Sequence, residues 1–500
     1  MPRHQIDLNG DGTADLILQD ESTGYLTTLL MQNDVPFNVA TYSEMPTTSK
    51  VAAFGDFDGS GTTDLFWHDL SSGAATEWLM GSNGIVEGTQ SFSGIPASYD
   101  VVGSGDYNAD GKSDLLWRGE FDGQLTMWQM NGTSVASSVS LGTIPTSYSV
   151  VDGSSDFTGD GKSDILFHGM DDGQTTLWAM NGSQIEQRFN FGQIPTNLSI
   201  LDTHGDLNGD GTNDILWYDH NNGNVVEWLM HDGQPSSTAV VGTAPSSAML
   251  ISAAGDYNGD GISDMLWDVN GKLVIWTMNT QGGIFSVDYV HDSNGNPMQL
   301  SATDVVEDAV DSLDGSGHSS VVVRDTSDGA TQVWAMNGPE VTSVTNLSAG
   351  SNSVITNGNG SGVVINADLA QNYYGTDGND TFVMQSSGAT VTGGAGDNIF
   401  HVSNFGGTIT DFKPNADQIV LDHGDFTVPF GGPVYNPGIV GFTSGTSGPA
   451  GADGRYQFYY QTNTGQLWYA EPFGSVANEY VVIATLQNHP TLSNHDILLV

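Results

Sequence analysis

Short apolar segments alternate with polar, glycine-rich turns through the first 355 residues of the chain. Segments such as DLLW (114–117) and DILW (214–217) follow an acidic loop, and a strand carrying Trp and Met, such as QLTMWQM (124–130), comes after the next turn. That strand often ends in Asn-Gly, as at Asn131-Gly132, which favours a two-residue hairpin. A further alternating strand and another apolar strand then lead into the next loop. The pattern predicts four short strands in each stretch of about 50 residues.

The acidic loop recurs at a nearly constant spacing, and we number its copies loops 1 to 7. Loops 1 to 6 span residues 7–15, 56–64, 106–114, 156–164, 206–214 and 256–264, and a divergent loop 7 spans 312–320. Seven four-stranded units favour an all-β fold, a seven-bladed β-propeller with one sheet per blade, over the alternative of an open solenoid of hairpins. The segment SNSVI (351–355) aligns with the first strand that the N-terminal unit lacks. We therefore expect it to complete blade 1 and close the ring.

The loops follow the pattern D-x-[DN]-x-D-G-x-x-D, which places oxygen ligands at alternate positions and a glycine at the sharp turn. Ca²⁺ takes six to eight such oxygens. Asp, Asn and Gly also build ordinary turns, but six copies in register favour metal sites. The predicted ligands at positions 1, 3, 5, 7 (through the carbonyl) and 9 are Asp7, Asn9, Asp11, Thr13 and Asp15; Asp56, Asp58, Ser60, Thr62 and Asp64; Asp106, Asn108, Asp110, Lys112 and Asp114; Asp156, Thr158, Asp160, Lys162 and Asp164; Asp206, Asn208, Asp210, Thr212 and Asp214; and Asp256, Asn258, Asp260, Ile262 and Asp264.

The loops are not equivalent. Thr158 in loop 4 and Ser60 in loop 2 replace preferred ligands, so these two sites are expected to be weaker. Loop 7 has serine in place of three acids and is expected to hold no metal. We expect about six calcium ions that clamp the turn between the first two strands of a blade, which is a role in stability rather than in ligand contact.

Composition narrows the possible partners. The 500 residues include 59 Asp and Glu but only 10 Lys and Arg, for a net charge of −49. Such a chain is repelled by nucleic-acid phosphates and by anionic lipid, so we expect neither partner. Cys is absent, which excludes disulfides, thiolate metal sites and a cysteine nucleophile. No apolar run is long enough for a transmembrane helix, so membrane insertion is not expected.

Loops 1 to 6, the DLLW-type strands and the 50-residue period resemble FG-GAP/VCBS repeats, the units of integrin α-subunit propellers and of several bacterial propeller lectins. The resemblance covers residues 5–355 and implies a propeller domain over residues 1–356. It also implies calcium in the loop between the first two strands of each blade. In integrins that loop lies on the face opposite the one that binds partners.

A second repeat follows, in which apolar residues recur every nine positions, at Val364, Tyr373, Phe382, Val391, Phe400 and Ile409. GTDGNDTFV (375–383) and GGAGDNIFH (393–401) resemble RTX nonapeptides, although Thr376 and Asn398 depart from that pattern. The resemblance implies a short parallel β-roll over 357–410 that binds one or two Ca²⁺ ions through Asp377 and Asp380. A glycine-rich linker is the alternative.

The C-terminal region, 411–500, resembles the tails of type I-secreted RTX proteins, including an apolar end beside an acid at Asp496. Such tails are uncleaved export signals, which agrees with a polar N-terminus that carries no secretory signal. The resemblance implies a β-rich secretion domain, the type I secretion machinery as a partner and an extracellular location. In low calcium the charge of −49 opposes compaction, and calcium outside the cell would drive folding.

The turns between the second and third strands vary between repeats and lie away from the acidic loops. His68, Arg118, His168 and Tyr218 open four of these turns and are our candidate ligand-binding residues. The regularly placed Trp residues are expected to pack between blades. We expect a monomeric carbohydrate-binding or adhesion module that contacts a glycan or a cell-surface partner; a structural matrix component stays open.

Signals for catalysis are few, and we name no catalytic residue. Glu77 and Glu227 occupy matching repeat positions but lie three blades apart. His68 and His168 could serve a lyase-like site together with Arg118. A calcium-dependent enzyme, a lyase or hydrolase, that degrades an extracellular polysaccharide is therefore the alternative function.

Overall fold

The computed structural model describes residues 6–20, 25–42, 49–69, 72–96, 98–119, 121–169, 172–195, 197–245, 248–301, 303–309, 312–325, 329–347, 353–355, 361–367, 372–374, 379–384, 388–393, 398–402, 406–414, 417–421, 442–446, 458–471, 479–492 and 496–499. The chain forms two compact units, Met1–Ser361 and Gly362–Val500.

The first unit contains seven antiparallel blades among the described residues, which confirms the predicted seven-bladed propeller. Blade 1 is β1 (Leu16–Asp20), β2 (Leu26–Gln32), β3 (Val35–Tyr42) and β29 (Ser353–Ile355); blade 2 is β4 (Ser49–Gly55), β5 (Asp64–Asp69), β6 (Ala75–Met80) and β7 (Val86–Phe92); blade 3 is β8 (Tyr99–Gly105), β9 (Asp114–Gly119), β10 (Gln124–Met130) and β11 (Val135–Thr143); blade 4 is β12 (Tyr148–Asp152), β13 (Ile165–Gly169), β14 (Gln174–Asn181) and β15 (Gln184–Gln193). Blade 5 is β16 (Leu198–Asp202), β17 (Ile215–Asp219), β18 (Asn224–His231) and β19 (Gln234–Thr243); blade 6 is β20 (Ala248–Gly255), β21 (Asp264–Val269), β22 (Leu273–Met278) and β23 (Ile284–Tyr289); blade 7 is β25 (Asp304–Asp308), β26 (Val321–Asp325), β27 (Thr331–Asn337) and β28 (Glu340–Leu347), with the short β24 (His291–Asp292) parallel to β28.

The ring closes between the two ends of the first unit. In blade 1 the strand order is β29-β1-β2-β3, and Ile355 pairs with Leu18. The closing strand expected within 351–355 is therefore confirmed over Ser353–Ile355. Because the innermost strand of blade 1 follows blade 7 in the sequence, sheet hydrogen bonds within blade 1 hold the end of the first unit to its beginning.

A second ring of hydrogen bonds runs through the acidic loops. The backbone N–H at position 8 of each loop donates to the carbonyl at position 1 of the loop before it, and loop 1 donates to loop 7. The bonds are Thr63 N to Asp7 O (2.7 Å), Ser113 N to Asp56 O (2.7 Å), Ser163 N to Asp106 O (3.0 Å), Asn213 N to Asp156 O (2.9 Å), Ser263 N to Asp206 O (2.9 Å), Ser319 N to Asp256 O (2.7 Å) and Ala14 N to Ser312 O (3.0 Å). All seven loops thus form one continuous circle at one end of the propeller.

Burial along each blade follows the hydrophobic pattern of the sequence. The second strand, such as β9 with Leu115, Leu116 and Trp117, is buried on both faces because neighbouring blades cover it. The fourth strand, such as β11, alternates between half-buried and exposed residues, as expected of an outer edge. Each blade core is therefore shared with its neighbours.

Tryptophans stabilise these interfaces in diagonal cross-strand pairs. The ring centroids of Trp117 and Trp128 are 5.1 Å apart, and those of Trp217 and Trp228 are 5.0 Å apart. The inner members of four such pairs, Trp67, Trp117, Trp217 and Trp267, are buried. The predicted packing role is confirmed for these four residues.

The second unit is also all-β and contains two extended sheets. Its strands are β30 (Ser361–Ala367), β31 (Asn372–Tyr374), β32 (Asn379–Met384), β33 (Thr390–Thr392), β34 (Ile399–Val402), β35 (Thr408–Ile409), β36 (Gln418–Leu421), β37 (Phe442–Gly445), β38 (Phe458–Gln461), β39 (Gln466–Glu471), β40 (Glu479–Leu486) and β41 (Ile497–Leu499). One sheet has the order β30-β32-β34-β36-β41, and the other has the order β31-β33-β35-β40-β39-β38-β37. Strands from 357–410 and from 411–500 therefore share both sheets.

Parallel pairing in this unit follows the nine-residue repeat. Phe382 pairs with Phe400 in one sheet, and Val391 pairs with Ile409 in the other, so successive repeats alternate between the sheets. All four side chains are buried, and the two phenylalanine rings stack 5.2 Å apart. The periodic apolar residues thus form the interior of parallel sheets. The side chains of Val364 and Tyr373 lie outside the described residues.

Candidate cation loops and candidate ligand face

The acid at position 1 of each of loops 1 to 6 folds the loop around itself. In loop 1, Asp7 Oδ1 accepts hydrogen bonds from the N–H groups of Gly10 (2.7 Å) and Asp11 (3.1 Å), and Asp7 Oδ2 accepts from Gly12 N (2.7 Å). Gly10 and Gly12 have φ angles of 73° and 86°, a backbone region that favours glycine. The carboxylate is thereby held toward the centre of the loop.

The acid at position 9 ties the loop to the third strand of the blade. Asp15 Oδ2 accepts from Leu8 N (2.8 Å), while Asp15 Oδ1 accepts from Met31 N (2.8 Å) in β2. Asp64 makes the same two contacts, with Phe57 N (2.9 Å) and Met80 N (2.7 Å). Because the donor is a backbone N–H, the bond fixes the distance between the loop and the third strand without requiring a particular side chain there.

Carboxylate oxygens converge most closely in loop 2. Asp56, Asp58 and Asp64 bring one oxygen each within 4.8 Å of one another, and this is the one such group of acids and histidines among the described residues. Loops 1, 3, 5 and 6 have Asn at position 3, which offers an amide oxygen instead. Carboxylate, amide, hydroxyl and carbonyl oxygens are hard ligands that fit Ca²⁺.

Buried acids in these loops have shifted pKa values because little solvent reaches them. Burial raises the pKa of Asp15, Asp114 and Asp264 to about 7. It raises the pKa of the corresponding acids of loops 2, 4 and 5 to about 8; these are Asp64, Asp164 and Asp214. Neighbouring loop acids raise these values further. A cation would offset this cost, since opposite charge favours the ionised form.

One buried carboxylate oxygen has no hydrogen bond of normal geometry. Asp114 is fully buried, its Oδ1 accepts from Met130 N (2.9 Å), and the nearby Tyr107 N–H lowers the pKa of Asp114 without forming a hydrogen bond of normal geometry to Oδ2. Leaving such an oxygen buried and unpaired is costly. The residues present in loop 3 therefore fit a bound cation.

Loop 4 contains an ion pair between two of its own side chains. Lys162 at position 7 extends its Nζ to 2.5 Å from Oδ2 of Asp160 at position 5. This ion pair satisfies one predicted ligand internally. It supplies a second physical reason, besides Thr158, to expect weaker binding there.

The side chains of both predicted roll ligands lie outside the described residues. Asp377 lies outside the described residues, and Asp380 lies in β32 but its side chain is outside them. In the same unit, Asp411 Oδ1 accepts from Gly393 N (2.7 Å), which joins segments two nine-residue repeats apart.

Two of the four candidate ligand-binding residues are in the interior. His68 and His168 are 1% and 2% exposed. His68 lies edge-on to Trp117 of the next blade at 5.3 Å, and His168 Nδ1 lies 2.7 Å from Thr175 Oγ1. Burial lowers the pKa of His168 to about 4, so this ring is neutral. The expectation of a surface histidine pair needs correction, because in β5 and β13 the second strand is covered on both faces at these two positions.

Arg118 and Tyr218 are half-buried at the end of the propeller away from the acidic loops. Arg118 Nη2 donates to Pro145 O (3.1 Å), and burial lowers the pKa of Arg118 to about 10. Tyr218 packs against His220 with ring centroids 5.0 Å apart. The buried histidines lie against the tryptophans that precede these two residues, so His68 and His168 support this face from beneath.

The structure adds two Tyr–Asp pairs at this face that sequence reasoning missed. Tyr99 OH donates to Asp122 Oδ2 (3.1 Å) in blade 3, and Tyr148 OH donates to Asp172 Oδ2 (3.1 Å) in blade 4. Both aspartates are exposed. The signal was present in the sequence, since each tyrosine follows a Pro by three residues and each aspartate precedes a Gly.

A glycine under each pair allows the close approach. A Cβ added at Gly119 would lie 2.1 Å from Asp122 Oδ1 and 3.0 Å from the Tyr99 ring. At Gly169 the same added atom would lie 2.3 Å from Asp172 Oδ1 and 3.2 Å from the Tyr148 ring. We call these two Tyr–Asp pairs, Tyr99–Asp122 and Tyr148–Asp172, the twin pairs.

Glu77 and Glu227 are buried between blades rather than placed on a surface. Both oxygens of Glu77 and the Oε2 of Glu227 have no hydrogen-bond partner. Burial raises the pKa of each to about 8. Neither glutamate can reach a polysaccharide from this position. With the histidines also buried, no candidate for catalysis from the sequence lies at the surface except Arg118.

The described residues contain no helix long and apolar enough to span a membrane. No curated protein matches the chain.

Comparison with solved structures supports the propeller architecture. An Agrocybe aegerita lectin, described by its recognition of non-reducing terminal N-acetylglucosamine, is similar with a TM-score of 0.51 and 14% identity, over 70% of this chain and 97% of that one. A prolyl endopeptidase (TM-score 0.41, 12% identity, 69% and 51% covered) and the Photorhabdus luminescens Tc holotoxin pore (TM-score 0.36, 16% identity, 64% and 16% covered) are more distant. At these identities the similarity to the lectin shows the fold alone.

A family of FG-GAP-like repeats matches residues 106–167 and 206–267. Each match begins at the first acid of a loop, at Asp106 or Asp206, and extends through the second strand of the next blade. The chain therefore contains FG-GAP-like repeats in a seven-bladed β-propeller, as the sequence predicted.

Proposed function

We propose that this protein is a secreted, calcium-stabilised carbohydrate-binding or adhesion module that acts as a monomer. The observation that supports this most directly is the presence of the twin pairs at matching positions of adjacent blades, on the face away from the acidic loops. The propeller fold that the chain shares with a lectin is compatible with the proposal.

The chemistry of the twin pairs suits a sugar. A tyrosine ring offers an apolar face for the C–H groups of a pyranose and a hydroxyl at its edge. The exposed carboxylate beside it has lone pairs left to accept hydrogen bonds from sugar hydroxyls. Asp122 Oδ1 also accepts from Gln124 N (2.9 Å), and Asp172 Oδ1 from Gln174 N (2.9 Å), so both groups are held in place before a ligand arrives.

The direct test is binding to a glycan array that includes N-acetylglucosamine-terminated sugars, with the wild-type protein and two variants. The double variant Tyr99→Ala, Tyr148→Ala is expected to lose at least tenfold in affinity, measured below its own melting temperature, which should also fall because both rings are half-buried against the blade cores. Tyr289→Ala removes a more exposed tyrosine (51%) on β23 and serves as the control for loss of a tyrosine elsewhere on the propeller.

Undiminished binding by the double variant would contradict the placement of the site. Arg118→Ala and Tyr218→Ala then test the remaining candidates of the same face. A glycan array on which the wild type binds nothing would count against the carbohydrate proposal itself.

We propose that loops 1 to 6 each hold one Ca²⁺ ion, through positions 1, 3, 5 and 9 and the carbonyl at position 7. A bound ion would supply +2 charge at the centre of a loop. Asp7 and its counterparts hold the loop around that centre, and Asp15 and its counterparts connect it to the third strand. The expected role is therefore to stabilise each blade and the contact with its neighbour.

We further propose that the second unit is an RTX-type roll followed by a type I secretion signal. The parallel pairing of β32 with β34 and of β31 with β33, each at an 18-residue step, supports the roll. Deletion of 451–500 is expected to retain the protein in the cytoplasm of a type I-competent bacterium. A comparable amount of the shortened protein in the medium would contradict the proposal.

A further inference from the structure

Loop 7 keeps the turn of the other loops without their acids. Its sequence, SLDGSGHSS, has serine at positions 1, 5 and 9 and one acid of its own, Asp314. Gly317 N donates to Ser312 Oγ (3.1 Å), where the other loops use a carboxylate, and Ser316 N donates to Asp314 Oδ1 (2.7 Å). The backbone therefore forms the same turn with a hydroxyl at its first position.

The hairpin of the following blade packs on loops 2, 3, 4 and 6 in the same way. In four blades a glycine of the hairpin between the third and fourth strands donates its N–H to the carbonyl at position 2 of the preceding loop. The bonds are Gly132 N to Phe57 O (2.9 Å), Gly182 N to Tyr107 O (2.6 Å), Gly233 N to Phe157 O (3.1 Å) and Gly338 N to Tyr257 O (2.7 Å). These glycines have φ angles between 58° and 73°.

Where blade 1 follows blade 7, the same place is taken by Asp34. Its N–H donates to Leu313 O (3.2 Å) at position 2 of loop 7, and its φ is 59°. Asp and Asn adopt such a φ more readily than other residues with a side chain, but glycine adopts it without strain. The side chain of Asp34 therefore brings a group to this place that the usual glycine lacks.

The Asp34 carboxylate makes a contact with loop 7. Asp34 is 4% exposed, and its Oδ1 accepts a hydrogen bond from Ser320 Oγ (3.1 Å). Ser320 is position 9 of loop 7 and is itself buried. In the other six loops a carboxylate stands at position 9, so Asp34 brings a carboxylate to the position that lost one.

We propose that Asp34 is a clasp that closes the seam between the last and first blades without a cation. It acts by a hydrogen bond to Ser320 Oγ, together with the backbone bond to Leu313 O. The seam is thereby less dependent on calcium than the other six blade junctions. The inference rests in part on the proposed calcium binding by loops 1 to 6, but the clasp itself can be tested with or without it.

The test compares Asp34→Gly with Asp232→Gly. Asp232 is also a hairpin aspartate at positive φ (48°), but its side chain is exposed. Its Oδ2 lies 3.9 Å from His231 Nε2. Both substitutions relieve backbone strain, and the first alone removes a buried carboxylate. Asp34→Gly is expected to lower the melting temperature by at least 4 °C, by similar amounts in excess CaCl₂ and in EDTA, while Asp232→Gly leaves it unchanged or raises it.

Two further measurements and one further variant keep the test decisive if the protein in EDTA is too unstable to melt cooperatively. Hydrogen exchange of the Ala14 amide, which bonds to Ser312 O across the seam, should accelerate in Asp34→Gly, while exchange of the equivalent Ser113 amide should not. Metal analysis after dialysis should give the same number of bound calcium ions as in the wild type. Asp34→Asn, which keeps an acceptor oxygen, should recover part of the lost stability.

Three outcomes overturn the clasp. An Asp34→Gly variant as stable as the wild type would show that the carboxylate adds nothing at the seam. A loss of one bound calcium ion, with destabilisation that disappears in EDTA, would make Asp34 a ligand of a seventh ion instead. Acceleration of Ala14 and Ser113 exchange to the same degree would make the effect global. If the wild type melts identically with and without EDTA, calcium binding fails, and the seam exchange measurement still decides the clasp.

Discussion

Loops 1 to 6 and loop 7 share one backbone conformation but not one set of side chains. Gly10 and Gly12 of loop 1 have φ angles of 73° and 86°, and Gly315 and Gly317 of loop 7 have 73° and 87°. Loop 7 also accepts and donates the inter-loop hydrogen bonds that all others make. Neither the turn nor the circle of loops therefore requires acids at positions 1, 5 and 9.

The comparison explains why the acids of loops 1 to 6 point to a cation. A serine can fulfil the structural role of position 1, as Ser312 does toward Gly317 N. The buried aspartates at position 9 of loops 1 to 6 cost free energy that a serine would not, because burial and neighbouring charges raise their pKa values. Six loops carry this costly arrangement in their own sequence, whereas the buried carboxylate at loop 7 comes from Asp34 of the neighbouring blade. The six copies favour a function that hydroxyls perform less well.

Removal of calcium should have the largest effect of the changes considered, because it affects loops 1 to 6 and leaves loop 7 as it is. We expect chelation to lower the melting temperature of the propeller by more than 10 °C, since each ion bound at 100 times its Kd contributes about 2.7 kcal/mol. Calorimetry in EDTA and in CaCl₂ measures this, and titration of metal-free protein should find at least five sites. A difference of one or two degrees would contradict calcium binding in the loops.

A matched pair of substitutions tests whether position 5 contributes to stability in loop 3 but not in loop 7. Asp110→Ala in loop 3 should destabilise by about 2–3 kcal/mol in calcium, because it removes a charged ligand and the acceptor for Lys112 N (3.0 Å). Ser316→Ala in loop 7 should change stability by less than about 0.5 kcal/mol, as is usual for a substitution near the surface. Urea unfolding in calcium and in EDTA measures both, and the gap between the variants should narrow in EDTA. Equal losses of unfolding free energy in calcium would show that position 5 contributes equally to stability in the two loops.

The fold could be predicted from the sequence because the loops, strands and turns of each repeat indicated the same four-stranded unit. Loop acids, apolar second strands such as DLLW and the Asn-Gly hairpins recur in one register, and the closing strand is visible by alignment alone. The nine-residue repeat predicted which residues of the second unit face its interior, as the burial of Phe382 and Phe400 shows.

The ligand face was harder to predict, because exposure at a strand end depends on the neighbouring blade. His68 opens a turn in the sequence, yet the Trp117 ring of blade 3 covers it. The twin pairs were missed because Tyr99 and Asp122 are 23 residues apart and meet only after two strands pair. Asp34 was missed for a similar reason, since its partner Ser320 lies 286 residues away.

A buried acid with no loop acid beside it gives a final and smaller test of what the loop acids are for. Glu227 is 2% exposed in the middle of β18, and burial alone raises its pKa from an ordinary 4.5 to about 8. At the matching position blade 4 has Leu177, which is fully buried. Replacement of Glu227 by leucine should therefore fit the interface between blades.

The sign of the pH effect follows from that shift. Because the folded state holds the Glu227 proton more tightly than the unfolded state, the wild type loses stability as pH rises from about 4.5 to about 8. Glu227→Leu removes this loss, so its gain in unfolding free energy over the wild type should grow by about 1–3 kcal/mol between pH 5.5 and pH 8. Urea unfolding in saturating calcium at the two pH values measures it, with Glu227→Gln as the control that removes the charge but keeps a polar group. If the gain is the same at both pH values, Glu227 ionises in the folded protein without cost, and the cost assigned to the buried loop acids must be reduced in the same proportion.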